Sequence, residues 1–250
     1  MVTILQKNIM VNIDTVYQKV LAIANKEQRG YITPQEFNLY ADQAQKDIFE
    51  QYFYDINQFS RVVGNETEYS DMVSLLEEKI SKFEKFKQPV SSVSGNEITL
   101  PADVHRLGTV FYAVGSAYDV EVEKVGKKDL EYMSRTALYA PVESRPVYTR
   151  KSNTLLKLFP ASPSTSYSTS TVTCNYIAKP ATVKWTYVVI NNKAIHNSSA
   201  SDLVNFELHE SEENELVFKI LGLAGVSIQD YNLTQVANTK EAATVSQQKQ

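Results

Sequence analysis

Apolar residues change their spacing twice along this chain, and that alternation restricts its fold more than any other feature. From Asn12 to about Gln88 they recur at helical spacing, from Pro89 to about Ile195 they form short strand-like runs, and from Ser201 the helical spacing returns. Two helical blocks flanking a strand block predict an α+β fold. Helices from both ends of the chain would form one bundle, with an antiparallel β-sandwich or barrel-like domain inserted between them. The expected divisions are 1–88 and 201–237 for the helical parts, 89–200 for the β insertion, and 238–250 for a polar tail that a partner would order.

Capping chemistry marks the helix starts. Ile13, Val16, Tyr17, Val20, Leu21 and Ala24 share one helical face behind Asn12, whose side chain suits an N-cap. Thr33, Pro34 and Glu36 spell a capping box with proline at the first helical position, and Ile32 and Phe37 are spaced to staple across it. That helix is expected to run on through Phe59. A third is expected from about Tyr69 to Phe86, with Phe83 facing inward and Lys79, Lys82, Lys85 and Lys87 gathered toward its C-terminal end. Ser211 is the expected cap of a last helix that buries Leu216, Val217, Ile220, Leu221 and Ala224 and stops at Gly225.

Between these blocks, strands are expected at 97–100, 107–114, 120–125, 147–150, 155–159, 172–177 and 183–190. Ser94-Gly95-Asn96 and Asn191-Asn192 supply turn chemistry, and the Ser/Thr-rich stretch 162–171 predicts an exposed loop.

Charge and cysteine content narrow the function. Twenty-five Lys and Arg against 29 Asp and Glu give a net charge of −4, whereas a protein living on phosphate contacts is normally basic. Cys174 is the single cysteine, so neither an internal disulfide nor a Cys-based zinc site is expected. No run approaches about 18 apolar residues, and the N-terminus lacks the pattern of a signal peptide, so no membrane segment is expected.

Catalytic, cofactor and metal residues are expected to be absent. A half-match to a calcium loop begins at Asn25, but Arg29 stands where a carboxylate must face the ion. The capping box accounts for Glu36 without a metal. His209, with Glu210, Glu212 and Glu213, suits a solvated helix start better than a metal cluster, His105 suits a turn, and His196 a polar loop. Gly-rich phosphate cradles do not occur. Lys82-Phe83-Glu84-Lys85-Phe86-Lys87 fits an amphipathic helix end better than a nucleic-acid contact.

Aromatic residues are the compositional surplus, with 15 Tyr and 10 Phe. Phe49, Tyr52, Phe53, Tyr54 and Phe59 point to several sides of one helix, more than one face can bury. They are candidates for a subunit interface, where Tyr and Phe are enriched, and equally for a wide core.

An ordered series of residues carries a resemblance. Leu100-Pro101-Ala102-Asp103-Val104-His105-Arg106-Leu107, Val120 to Val125, Arg145-Pro146-Val147-Tyr148, Leu158-Phe159-Pro160 and Asn175-Tyr176-Ile177-Ala178-Lys179-Pro180, followed by Trp185, resemble virion proteins of short-tailed phages. The group is the head–tail connector, or tail-tubular-protein-A-like, neck proteins, and within it the ring proteins of crAss-like phages and related phages of Bacteroidetes. Tyr31 to Asn38 and Phe206 to Leu216 add to the likeness. Pro101, Arg106, Pro146, Tyr176, Pro180 and Trp185 are its structural positions; none is catalytic.

The resemblance implies a homo-oligomeric ring of about twelve copies, closed by head-to-tail contacts. It implies no cofactor, the portal and other neck or tail proteins as partners, and DNA passing through without specific binding. The protein would be made in the host bacterial cytoplasm and end in the virion. A rival reading is a carbohydrate- or receptor-binding tail module, with Trp185, Tyr187 and Tyr148 stacking on sugars. A tail-associated hydrolase is a third, and it would need a carboxylate pair that the sequence does not display.

Overall fold

The computed structural model describes residues 10–24, 32–61, 67–114, 118–161, 167–191 and 193–228, together with 235, 239, 240 and 242. The calcium-loop lookalike from Asn25 to Gly30 lies outside these residues, as does nearly all of the polar tail. The chain divides into two compact units, Met1–Lys82 with Pro180–Gln250, and Phe83–Lys179.

The first, helical unit contains α1 (Ile13–Ala24), α2 (Pro34–Arg61), α3 (Thr67–Ser81) and α5 (Glu213–Ile228). Asn12 caps α1, its Oδ1 accepting the N–H groups of Asp14 at 2.8 Å and Thr15 at 3.3 Å. The capping box at α2 forms with both arms. Thr33 N–H donates to Glu36 Oε2 at 2.9 Å, and Glu36 N–H donates to Thr33 Oγ1 at 3.3 Å. Ile32 and Phe37 are both buried beside it. A short 3-10 turn, Glu210–Glu212, capped by His209, leads into α5. Leu216, Val217, Ile220, Leu221 and Ala224 are buried as the spacing predicts, but the helix passes Gly225 and ends at Ile228.

The expected bundle of N- and C-terminal helices does not form. The helices are few, and the non-helical segment 180–208 packs into the core of this unit. Val183, Trp185, Phe206 and Leu208 of that segment are buried, and Trp185 packs on Tyr17 of α1 with ring centroids 4.2 Å apart. Two polar side chains of α2 hold the segment there. Asn38 pairs with the Trp185 backbone, while Gln45, fully buried, donates to Ala181 O at 2.8 Å and accepts Glu207 N–H at 2.9 Å. These satisfy backbone groups that no sheet pairs, which lets irregular chain sit in a core.

The helix expected to reach Phe86 stops at Ser81. Phe83 is buried as expected, but Glu84–Pro89 is a strand, β1, and Phe86 is exposed. The remaining strands of the second, sheet unit are β2 (Ser92–Ser94), β3 (Glu97–Thr99), β4 (Val104–Val114), β5 (Tyr118–Lys124), β6 (Val147–Arg150), β7 (Leu155–Phe159) and β8 (Val172–Ala178). They form one eight-stranded sheet in the order β1-β8-β4-β5-β6-β7-β3-β2, curled into a half-barrel. This replaces the antiparallel sandwich or barrel expected from the sequence. The sheet is mixed because β5 and β6 run parallel; α4 (Lys127–Ser134) and the loop after it carry the chain back between them. Its core holds Ile98, Val110, Val122, Leu156, Leu158 and Cys174, among others. Val172 to Ala178 alternate strictly between buried and half-buried, as a strand with one core face should.

Both edges of this sheet are blunted. β2 is only three residues long. β1 is exposed throughout and carries Lys85, Lys87, Pro89 and a bulge between Lys85 and Gln88, all devices that discourage another strand from pairing.

Candidate assembly surfaces

A second, two-stranded sheet in the helical unit carries one lysine, Lys193, and neither a proline nor a bulge. β9 (Tyr187–Ile190) and β10 (Lys193–His196) form a hairpin with Ile190 opposite Lys193 and Tyr187 opposite His196. Asn191, in the connecting turn, takes φ 51°, a left-handed conformation that asparagine tolerates. Strand alternation places Tyr187, Val189, Ala194 and His196 on one face and Val188, Ile190, Lys193 and Ile195 on the other.

The first face is rooted on Trp185. Tyr187 and His196 stack against its ring with centroids 5.6 and 5.7 Å away, and the Trp185 Nε1–H donates to Asp14 Oδ1 at 2.9 Å. His196 therefore belongs to a strand end beside Asp14, not to a polar loop. Among the described residues the second face is open to solvent, with Val188, Ile190 and Ile195 exposed, and on the first face Val189 is 62% exposed. An isolated hairpin is marginal in water, and an apolar strand with free edges invites pairing. Nothing local marks this surface in the sequence, because Lys193–His196 looks like polar loop and exposure depends on distant packing.

A second apolar surface lies in the sheet unit, on the end of α4 and the connection after it. Tyr132, Leu138, Tyr139 and Val142 are exposed, Leu138 to 77%. The loop is nonetheless built. Arg145 donates from Nη2 to the carbonyls of Leu138 at 3.4 Å and Tyr139 at 3.2 Å, Tyr139 and Ala140 N–H bond back to Thr136 O, and Glu143 accepts the Tyr112 hydroxyl at 3.1 Å. Its largest side chains face water from a fixed backbone.

Charge separates the two units. Phe83–Lys179 holds twelve Lys and Arg against nine Asp and Glu, a net +3; the remaining 13 against 20 give the helical unit −7.

Of the aromatics expected at a subunit interface, three are turned inward. Phe49, Tyr52 and Phe53 are buried in the chain's own helical unit, with Phe49 and Phe53 edge to face at 5.0 Å. Burial, then the Glu212 and Glu215 carboxylates, pushes the Tyr52 phenol far above its ordinary range. Beside it, Lys79 pairs with the buried Glu212 at 2.5 Å. Tyr54 is 60% exposed and is the residue of this group open to a partner; the Phe59 side chain lies outside those described.

The positions named by the resemblance are spread over both units. Pro101 O caps the turn into β4 by accepting Val104 N–H, Pro146 O accepts Glu123 N–H, and Pro180 is buried where the chain re-enters the helical unit. Tyr176, on β8, donates its hydroxyl to both oxygens of Asp103 at 3.1 Å. Burial first, then that carboxylate, raises it to about 12. Trp185 and Tyr148 are buried, so neither presents a ring face on which a sugar could stack.

Arg106 lines a groove of about 430 Å³ across β1, β8 and β4, with Lys85, Phe86, Gly108, Asn175 and Tyr176. Register shifts in β1 and β4, at 85–88 and 107–110, interrupt the pleat on both sides of β8. Gly108 lies so close to β8 that a Cβ would stand 3.1 Å from Asn175 O. The groove mixes the Lys85 and Arg106 cations with the Glu84 carboxylate and the Phe86 and Tyr176 rings. Among the described residues no group of His, Cys, Asp and Glu could hold a metal, and no helix is long and apolar enough to cross a membrane. No protein-family model matches the chain, and no curated protein matches it.

Proposed function

We propose that this chain is a structural virion protein, one subunit of an oligomeric ring in the neck or tail of a short-tailed phage. In that role it joins portal to tail and surrounds the passage for DNA, and it carries out no chemistry of its own. The observation that carries the reading is the apolar face of the β9–β10 hairpin, exposed among the described residues. The same chain that guards its sheet edge at β1 with lysines, proline and a bulge leaves Val188, Ile190 and Ile195 bare. A bare apolar strand is a liability unless assembly covers it. The likeness of residues 100–107, 145–148 and 175–185 to connector proteins supplies the setting.

The test is direct observation of the purified chain. Native mass spectrometry and negative-stain microscopy should show closed rings of about twelve copies. A chain that stays monomeric at all concentrations, alone and with its portal, overturns the reading.

A further inference from the structure

We infer that the ring contact is made by the β9–β10 hairpin of one copy seated on the 132–142 surface of the next. The inference rests on the proposed self-assembly and names its two faces. Eight exposed large apolar residues fall in these two places: Val188, Val189, Ile190 and Ile195 on the hairpin, and Tyr132 of α4 with Leu138, Tyr139 and Val142 of the loop after it. Both surfaces are formed in the single chain, one rooted on Trp185 and the other on Arg145, so little ordering is needed on contact.

The occupant is a second copy because the surfaces are of two kinds and sit on units of opposite charge, −7 and +3. Opposite net charges draw the helical unit of one copy toward the sheet unit of another and set like units apart. A contact between two different faces is head-to-tail, the type that closes into rings. A hairpin-to-hairpin contact would bring two acidic units together and stop at a dimer.

The experiment uses the full chain with Ile190→Lys, Leu138→Lys, or neither. Both sites are exposed, and circular dichroism should show both variants folded. Ile190→Thr and Leu138→Gln serve as milder pairs should either lysine variant lose its fold. Each lysine variant alone should be monomeric, its association weakened about thirtyfold or more, as expected when a central apolar anchor is lost. Mixed in equal amounts they should form one-to-one pairs and nothing larger, since only the Leu138→Lys hairpin and the Ile190→Lys loop remain intact. Full assembly by Leu138→Lys alone, or no pairing in the mixture, overturns the inference while leaving the ring itself standing. A wild-type chain that never self-associates overturns both.

Discussion

Asn38 brackets the backbone of Trp185, its Nδ2 donating to the Trp185 carbonyl at 3.1 Å and its Oδ1 accepting the Trp185 N–H at 2.8 Å. One side chain thus provides both bonds a neighbouring strand would make. Replacing Asn38 by Ala leaves two partly buried backbone groups unpaired, which should cost about 2–4 kcal/mol. Asn38→Asp keeps the acceptor but sets a carboxylate against the carbonyl, so it should also destabilise. Trp185 is the only tryptophan, and its emission during urea unfolding measures both variants directly. Unchanged midpoints would show that the bracket contributes nothing.

The capping box at α2 makes a prediction about acid. Hydrogen bonds from the Thr33 N–H and hydroxyl hold the Glu36 carboxyl below its usual 4.5. A lowered carboxylate stabilises the fold above the unfolded value, and that contribution is lost as pH falls through the folded value. Thr33→Ala removes the side-chain cap of α2, a loss that costs about 1 kcal/mol at neutral pH. The gap between Thr33→Ala and wild type in thermal melts should narrow below pH 4.5. Calcium should shift neither melting temperature, and a calcium-dependent rise would restore a metal role for the preceding loop.

Alkali should erode the sheet unit in two steps. Burial, and then Asp103, raises the Cys174 thiol from 9.0 to about 11, and Tyr176 rises from 10.0 to about 12. For acids held neutral in the fold, the stabilisation is complete below the unfolded value and disappears as pH climbs through the folded one. Stability should decline from pH 9 upward, with Cys174→Val removing the first part of the decline. A thiol reagent at pH 8 should label Cys174 only after unfolding. Rapid labelling of the native chain would contradict its burial.

Local chemistry made some of this structure legible and long-range packing hid the rest. Asn12, Thr33 and Glu36 announce their helices because a cap is read within four residues. The strands at 147–150 and 155–159 could be delimited because turn residues flank alternating apolar ones. The end of α3 could not. Lys82 to Lys87 fits a helix period and a strand period equally, and pairing of Glu84 and Lys85 with Ile177 and Tyr176, some ninety residues away, decides it. The bundle failed as an expectation for a related reason: Asn38 and Gln45 look like solvated helix positions until their partners at 181–207 are known. Phe49, Tyr52 and Phe53 looked like surplus because a helix wheel cannot show how many neighbours surround it. The hairpin face was invisible because exposure is a property of the whole fold.

The path of the chain also sets a timetable. The helical unit is left at Lys82 and rejoined at Pro180, so during synthesis the sheet unit has all of its parts first. Domains fold as units while the chain emerges, and α1 and α2 must wait for Trp185, Phe206 and α5 before their apolar faces are covered. The loop at 132–142 is thus finished early and the hairpin at 187–196 late. In the proposed ring, a nascent subunit would be received by a neighbour's hairpin before it has one of its own to offer.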